Sequence, residues 1–319
     1  MVAPIDENEN DFQYSPPTVK RLLWLPIVLL AAALPGCGSD AAADPAFTVV
    51  ATTTQAADLT RNVAGPAAHV VQLLQPNADP HDYEIRPDDV KALADADLVI
   101  SSGGEVDEWL GDAIDASGTD APRLVLADHV DVLDGDPHWW QDPRNAVKAT
   151  AAIEAALIEA DPEGAAAYER DAQRYSATLE RLDREVARCI GEIPVGQRTL
   201  VTTHDALGSY AARYGLHVVG AVIPSRSTLA QPSAGEVDQL IATIQREHVP
   251  AIFAEASVNP DVEQAIADAS GARVGAELYA DALGPEGSDG ATYVGSVAAN
   301  TAAIVDGLTG GARTCRPAP

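Results

Sequence analysis

The sequence predicts an α/β protein with two lobes, each containing a mainly parallel sheet flanked by helices, joined by a single long rigid helix. Three observations lead to this fold class. Short apolar runs alternate with helical stretches in the first half of the chain, and the same pattern returns in the second half. Between the two halves lies one long segment with an uninterrupted amphipathic helical pattern. Near-continuous apolar runs are typical of parallel strands, because such strands are buried on both faces.

Each half of the chain contains four candidate strands of aliphatic and β-branched residues. They are 47–50, 70–74, 98–100 and 124–126 in the first half, and 199–202, 216–219, 251–254 and 272–274 in the second. Helical spacers separate successive runs, so each half is expected to form its own parallel sheet.

A long helix is predicted between the two sheets. Asp161 and Pro162 form a helix start, with an aspartate N-cap and proline at the first helical position, and the next proline is Pro194. An apolar stripe at helical spacing follows: Tyr168, Tyr175, Leu179, Leu182, Val186 and Ile190. About 28 residues would span roughly 42 Å. A continuous helix of this length resists bending, so we expect small domain motions.

The composition excludes one class of partner. The chain has 319 residues, 46% of them hydrophobic, and a formal net charge of −28. Apolar content of this size is sufficient for a packed core, while the strong negative charge repels the phosphate backbones of nucleic acids. We therefore expect no nucleic-acid binding.

The N-terminus predicts an export signal and a lipid anchor. Lys20 and Arg21 precede an apolar run, 22–34, which is too short to span the roughly 30 Å of a bilayer core. The run ends in Leu-Pro-Gly-Cys37, which resembles the lipobox of bacterial lipoproteins, whose cysteine becomes the lipid-modified N-terminus. This predicts an extracytoplasmic protein anchored to the cell membrane. The acidic residues 1–18 leave Val19 as an alternative start of translation.

The sequence divides into six segments and contains one candidate disulfide. The segments are a signal peptide, 1–36; a small, polar lipidated tether, 37–46; an N-terminal lobe, 47–160; the interlobe helix, 161–193; a C-terminal lobe, 194–312; and a tail, 313–319. Cys189 and Cys315 are the two cysteines that remain after Cys37. In a compartment that permits disulfides, an even pair predicts one bridge, and two separate thiols are the alternative.

Four side chains that can bind a metal follow the carboxyl ends of predicted strands: His81, His138, His204 and Asp281. Ligands of open parallel sheets bind beyond these ends, and a cleft between the lobes would bring two residues from each lobe together. Three imidazoles and one carboxylate resemble tetrahedral zinc sites. Other histidines lie at or before the amino ends of strands and are expected outside the site: His69, His217 and His248.

Five motifs in order resemble the zinc/manganese class of metal-binding lipoproteins, the cluster A-I solute-binding receptors of metal ABC importers. They are His-Asp-Tyr-Glu at 81–84, Asp-Pro-His-Trp-Trp-Gln-Asp-Pro at 136–143, Thr-His-Asp-Ala-Leu at 203–207 with Tyr210 and 214–216, Phe-Ala-Glu at 253–255, and Tyr-Ala-Asp at 279–281. The resemblance covers about residues 47–310.

The resemblance implies one divalent ion held in the interlobe cleft by His81, His138, His204 and Asp281. It also implies a membrane permease as partner, a monomeric receptor and no enzymatic activity. Glu255 is expected beside the site, where it would orient an imidazole N–H. The resemblance also implies that the cargo is Zn²⁺ rather than Mn²⁺. Manganese receptors often have an additional carboxylate at the position of His204, and nitrogen ligands favour zinc over manganese.

One departure from the family pattern and alternatives of three kinds accompany this interpretation. Many zinc receptors have a long His-rich loop before the second motif, whereas only 128–136 occupies that place here, and His129 in it is expected to be solvated. A manganese or iron receptor of the same family is one alternative. A zinc hydrolase with Glu255 as general base is another, and an adhesin with the same fold is left open.

Overall fold

The N-terminal lobe is a four-stranded parallel sheet with helices on both faces, as seen in the computed structural model, which describes residues 47–318. Its strands are β1 (Thr48–Ala51), β2 (His69–Gln72), β3 (Leu98–Ser101) and β4 (Arg123–Val125), in the order β2-β1-β3-β4. Its helices are α1 (Thr54–Ala64), α2 (Pro87–Ala94), α3 (Leu110–Ser117) and α4 (Pro143–Ala160).

Alternate residues of the central strand face two different apolar layers. Val49 packs in the cluster that contains Leu59 of α1 and Ile153 of α4, whereas Val50 packs in the cluster that contains Leu93 of α2. Both strand residues are fully buried. The sheet is therefore covered on both faces, as the continuous apolar runs predicted.

The long helix, α5 (Ala165–Gly191), follows a turn of 3₁₀-helix at Pro162–Gly164. The apolar stripe predicted from the sequence is buried. The predicted cap differs, because the Asp161 carboxylate accepts a hydrogen bond from the Tyr168 hydroxyl at 2.6 Å instead of capping the helix. A hydroxyl bonded to a carboxylate is a strong, charge-assisted pair, and it occupies the group that would otherwise serve as the cap.

The C-terminal lobe repeats the strand order of the first. Its strands are β5 (Thr199–His204), β6 (His217–Ile223), β7 (Ala251–Ile252) and β8 (Arg273–Val274). β5 pairs with β6 and β7 with β8, all parallel, and a bridge between Thr202 and Phe253 joins the two pairs in the order β6-β5-β7-β8. Its helices are α6 (Gly208–Tyr214), α7 (Ala234–Glu247), α8 (Asp261–Ser270) and α9 (Tyr293–Leu308).

The largest apolar core of the described residues runs through both lobes. It joins Val49 of the first sheet, Leu179 of α5, Phe253 beside the second sheet and Ile304 of α9. Because one continuous core includes side chains from both lobes, a wide parting of the lobes would expose apolar surface to water. The fold class predicted from the sequence, two α/β lobes with a long helix, is confirmed.

The predicted signal peptide, the tether and Cys37 lie outside the described residues. Within residues 47–318, every helix is too short or too polar to cross a lipid bilayer.

A disulfide joins the end of α5 to the tail. Cys189 and Cys315 are bonded, with their Cα atoms 5.4 Å apart and a separation of 126 positions in sequence. Cys189 is fully buried, and the Arg188 guanidinium lies 3.2 Å from the sulfur of Cys315. The bond therefore fastens the last described residues to the helix between the lobes.

We expect Cys315→Ala to lower the free energy of unfolding by about 2–4 kcal/mol, because a cross-link that closes a long loop restricts the unfolded chain. Urea unfolding with and without a reductant measures the loss. Reduced wild-type protein is the control and should match the reduced variant. Equal stability of the oxidised wild type and the variant would contradict the expectation.

Candidate metal site

The structure brings together the four side chains singled out from the sequence. One ligand atom from each of His81, His138, His204 and Asp281 lies within 4.8 Å of the corresponding atom of each of the others. Their side chains are at most 2% exposed. Two come from each lobe, so the cluster lies where the two lobes meet.

The strand ends explain why these residues meet. His204 is the last residue of β5, and Asp281 lies in the segment between β8 and α9. His81 lies in the loop between β2 and α2, and His138 lies between β4 and α4, just before a 3₁₀ turn. The carboxyl ends of all strands in a parallel sheet lie at one edge, so four separate chain segments converge there.

The other histidines are exposed and lie away from this cluster. His217 and His69 begin strands β6 and β2, at the amino edges of their sheets, and His248 follows the last residue of α7. His129 is also exposed, at the end of a short 3₁₀ turn. None of these four belongs to the described metal-binding group.

The distances between ligand atoms suit one small divalent ion. His204 Nε2 and His81 Nε2 lie 3.1 and 3.3 Å from Asp281 Oδ2, and His138 Nε2 lies 3.4 Å from Asp281 Oδ1. The Nε2 atoms of His204 and His138 are 3.4 Å apart. Ligand bonds of about 2.0–2.1 Å in a tetrahedron place ligand atoms roughly 3.3–3.4 Å from each other, and these four distances are close to that value. The complete set of four ligand atoms lies within 4.8 Å of one another.

Several of these atoms have no other partner. His81 Nε2 and both carboxylate oxygens of Asp281 are buried and lack a hydrogen bond of acceptable geometry among the described residues. Buried polar atoms without partners are costly and rare. A cation at the centre of the cluster would supply the missing interaction, so the ligand set fits a bound metal ion.

The charges of the site are strongly coupled. Burial disfavours the charged form of Asp281, yet His204 and His138 beside it hold the pKa of this carboxyl well below its ordinary value. Burial likewise opposes protonation of His204, but Asp281 and Glu255 outweigh it and raise the pKa of the imidazole well above its ordinary value. The pKa of His81 is raised for a similar reason, because Asp281 outweighs the effect of burial.

Two further carboxylates contact the outer nitrogens of the imidazoles. Glu255 Oε2 lies 2.7 Å from His204 Nδ1, and Asp136 Oδ1 lies 2.7 Å from His138 Nδ1. A carboxylate in this position orients a metal-binding imidazole and makes it a stronger donor. The Asp136 contact is a hydrogen bond, whereas the Glu255 contact is a close ion pair whose angles fall outside hydrogen-bond geometry. Glu255 was expected near the site from its motif.

Asp136 is a functional residue that was not predicted from the sequence. It is one of four aspartates in the loop 128–136, and it begins the motif at 136–143, but no role was assigned to it from the sequence. Its position two residues before His138, with a proline between, is the signal that could have identified it. The same Oδ1 atom also accepts the backbone N–H of His138 at 3.0 Å, which this spacing permits.

Comparison with known proteins identifies the family. Residues 49–307 match the model of the family described as ZnuA, zinc-uptake complex component A, periplasmic. The chain belongs to this family. The family consists of solute-binding proteins of metal ABC importers and not of enzymes. The family resemblance drawn from the five motifs is therefore confirmed.

Relatives in the family bind different metals. The manganese-binding lipoprotein MntA of Bacillus subtilis is 31% identical, over 91% of this chain and 100% of its own length. The zinc-binding protein TroA of Treponema pallidum is 33% identical over 84% and 91% of the two chains. The solved structure of TroA superimposes with a TM-score of 0.76, at 30% identity, and covers 82% of this chain and 98% of TroA. The iron-binding protein YfeA of Yersinia pestis is 29% identical, over 82% of this chain and 86% of its own length.

The hydrolase alternative is unsupported by these relatives. The contacts of Glu255 also account for the side chain without a catalytic role. One oxygen faces His204, and the other accepts hydrogen bonds from the Ser257 hydroxyl at 2.7 Å and from the backbone N–H of Asp281 at 3.3 Å. Glu255 is thus engaged in supporting two members of the cluster.

We expect Asp136→Asn to weaken divalent-metal affinity by about 10- to 100-fold, because the amide cannot hold His138 as a carboxylate does. Competition with a fluorescent chelator measures the affinity. Asp161→Asn is the matched control, since it alters a carboxylate that is hydrogen-bonded to Tyr168 at the start of the long helix. Unchanged affinity in Asp136→Asn would contradict a supporting role.

Proposed function

We propose that this protein captures one Zn²⁺ ion with His81, His138, His204 and Asp281 and delivers it to the permease of an ABC importer. The convergence of three imidazole Nε2 atoms on one buried carboxylate, at 3.1–3.4 Å from its oxygens, is the observation that carries the proposal. The ion is cargo, and the protein performs no covalent chemistry on it.

The donor set favours zinc within the family. Three nitrogens and a single carboxylate suit zinc, whereas manganese prefers carboxylates, carbonyls and water. The two additional carboxylates nearby, Glu255 and Asp136, face the outer nitrogens of imidazoles instead of the centre of the cluster. The zinc-binding relative TroA is consistent with this choice, while MntA and YfeA support manganese or iron as the alternative cargo.

The proposed cellular arrangement follows the segments drawn from the sequence. Residues 1–36 direct export, Cys37 carries the lipid, and 37–46 tether a monomeric receptor to the outer face of the cell membrane. The two lobes are 47–160 and 194–312, with 161–193 between them and 313–319 as the tail. Support comes from the relatives whose names describe them as lipoproteins, among them MntA of Bacillus subtilis.

We expect the wild type to bind one zinc ion per chain, and His138→Ala to bind it at least about 100-fold more weakly while remaining folded, because a buried ligand is lost. Elemental analysis of protein purified without added metal, titration calorimetry and zinc–manganese competition measure cargo and affinity. His217→Ala, an exposed histidine, is the control. Native affinity in His138→Ala would reject the ligand assignment, and a preference for manganese would reject zinc.

Zinc affinity should fall as pH decreases, because a metal ion binds the neutral imidazole and protons compete for the same nitrogens. The pKa of His204 is raised by Asp281 and Glu255 in spite of burial, so protonation begins at a higher pH than for an ordinary histidine. The fall should approach about tenfold per pH unit for each proton displaced. Chelator competition between pH 8 and about 5.5 measures it, and an affinity independent of pH in this range would contradict the mechanism.

A further inference from the structure

The peptide group between Ala280 and Asp281 is held from both lobes. Its carbonyl oxygen accepts two hydrogen bonds from the N-terminal lobe, one from Trp140 Nε1 at 2.9 Å and one from Gln141 Nε2 at 2.8 Å. Its N–H, contributed by Asp281, donates to Glu255 Oε1 in the C-terminal lobe at 3.3 Å. Both edges of one peptide plane are therefore fixed, one edge by each lobe.

The side chain of Asp281 depends on this backbone support. Its two oxygens face only imidazole nitrogens and have no other partner among the described residues. By contrast, His138 and His204 each have a carboxylate at the outer ring nitrogen. The orientation of the single oxygen ligand is consequently set by the peptide plane that precedes it.

Neighbouring contacts keep the same segment against the N-terminal lobe. The backbone N–H of Leu283 donates to Thr54 Oγ1 at 2.8 Å, and its carbonyl accepts from the N–H of Asn77 at 2.9 Å. The Tyr293 hydroxyl donates to the carbonyl of Trp140 at 2.6 Å. This hydrogen bond fixes Trp140, whose indole N–H binds the carbonyl of Ala280. The Asp281 segment follows the second sheet in the chain but is fastened to the first lobe.

Gln141 is an unusual residue for its surroundings. It lies in the 3₁₀ turn Trp139–Gln141 and is only 2% exposed, in a position where a buried amide is costly unless it is hydrogen-bonded. A carbonyl oxygen only accepts hydrogen bonds, so the amide presents its NH₂ group to Ala280. The hydrogen bond explains why a polar side chain occupies this buried position beside His138.

We propose that Gln141, together with Trp140, is a positioning residue that fixes Asp281 and thereby makes the site selective for a small tetrahedral ion. This inference rests on the proposed function. A fixed set of three imidazoles and one carboxylate disfavours Mn²⁺, which prefers octahedral oxygen coordination. Loosening the 280–281 peptide allows the carboxylate to turn and solvent to enter, so an ion with more oxygen ligands is better accommodated.

The test uses the full chain, with Zn²⁺, Mn²⁺ and Co²⁺ as the metals. Gln141→Leu keeps the approximate size of the side chain and removes the donor, and Trp140→Phe keeps an aromatic ring and removes the other donor. Tyr210→Phe is the matched control, because it deletes a buried hydrogen bond, 2.8 Å to Thr301, that does not touch the 280–281 peptide. Three quantities are measured: zinc release into excess chelator, zinc–manganese competition, and the visible absorption spectrum of bound cobalt.

Gln141→Leu should release zinc roughly tenfold faster, as expected for loss of an outer-shell contact. It should also shift the competition toward manganese and weaken the strong absorption bands of tetrahedral cobalt. Trp140→Phe should change all three quantities in the same direction as Gln141→Leu. If Gln141→Leu fails to fold, the measurements on Trp140→Phe decide the outcome. Tyr210→Phe should leave them unchanged even if it lowers stability.

A cobalt spectrum and a zinc–manganese ratio equal to those of the wild type, in whichever of the two donor variants folds, would overturn the positioning role while leaving the proposed function intact. Equal changes in Tyr210→Phe would also overturn it, because they would reflect general destabilisation. A wild type that binds neither zinc nor cobalt would instead refute the proposed function, and the inference with it.

Discussion

The carboxylate of Asp281 is buried among three imidazoles, and both lobes contribute to keeping it there. Asp281 is fully buried, and the desolvation of an isolated charge costs several kcal/mol unless a partner compensates it. Two kinds of partner are available, protons on the histidines or a divalent cation among them. Both sheets, the chain segments at their carboxyl edges and the outer carboxylates serve to keep these few atoms within reach of each other.

The two lobes share the same strand order, and each supplies one metal-binding imidazole in the same manner. Each has its first strand between the second and third, and each supplies one imidazole supported by a carboxylate, His138 with Asp136 and His204 with Glu255. His81 is held differently. Its backbone N–H donates to Asp79, whose carboxylate also accepts from the Thr228 hydroxyl of the other lobe. The third imidazole is thus positioned through its main chain.

Much of this arrangement could be predicted from the sequence, because buried parallel strands leave continuous apolar runs and ligands follow the strand ends. All eight strands lie at or within a few residues of the predicted runs. The parts that could not be predicted depend on tertiary partners. The Asp161 carboxylate bonds Tyr168 instead of capping the helix, and β7 is only two residues long. The role of Asp136 depends on its contact with the His138 ring, which the motif alone does not reveal.

The apolar core shared by both lobes opposes release of the metal ion by separation of the lobes. Separating the lobes would expose part of this shared core to water, at a cost of about 25 cal/mol for each Å² of apolar surface exposed. A local rearrangement at the least buried ligand, His81, avoids this penalty, since its loop lies between β2 and α2 at the surface. The metal-bound and metal-free forms of the receptor would then differ mainly in the loop that contains His81, while the two lobes keep the same relative position.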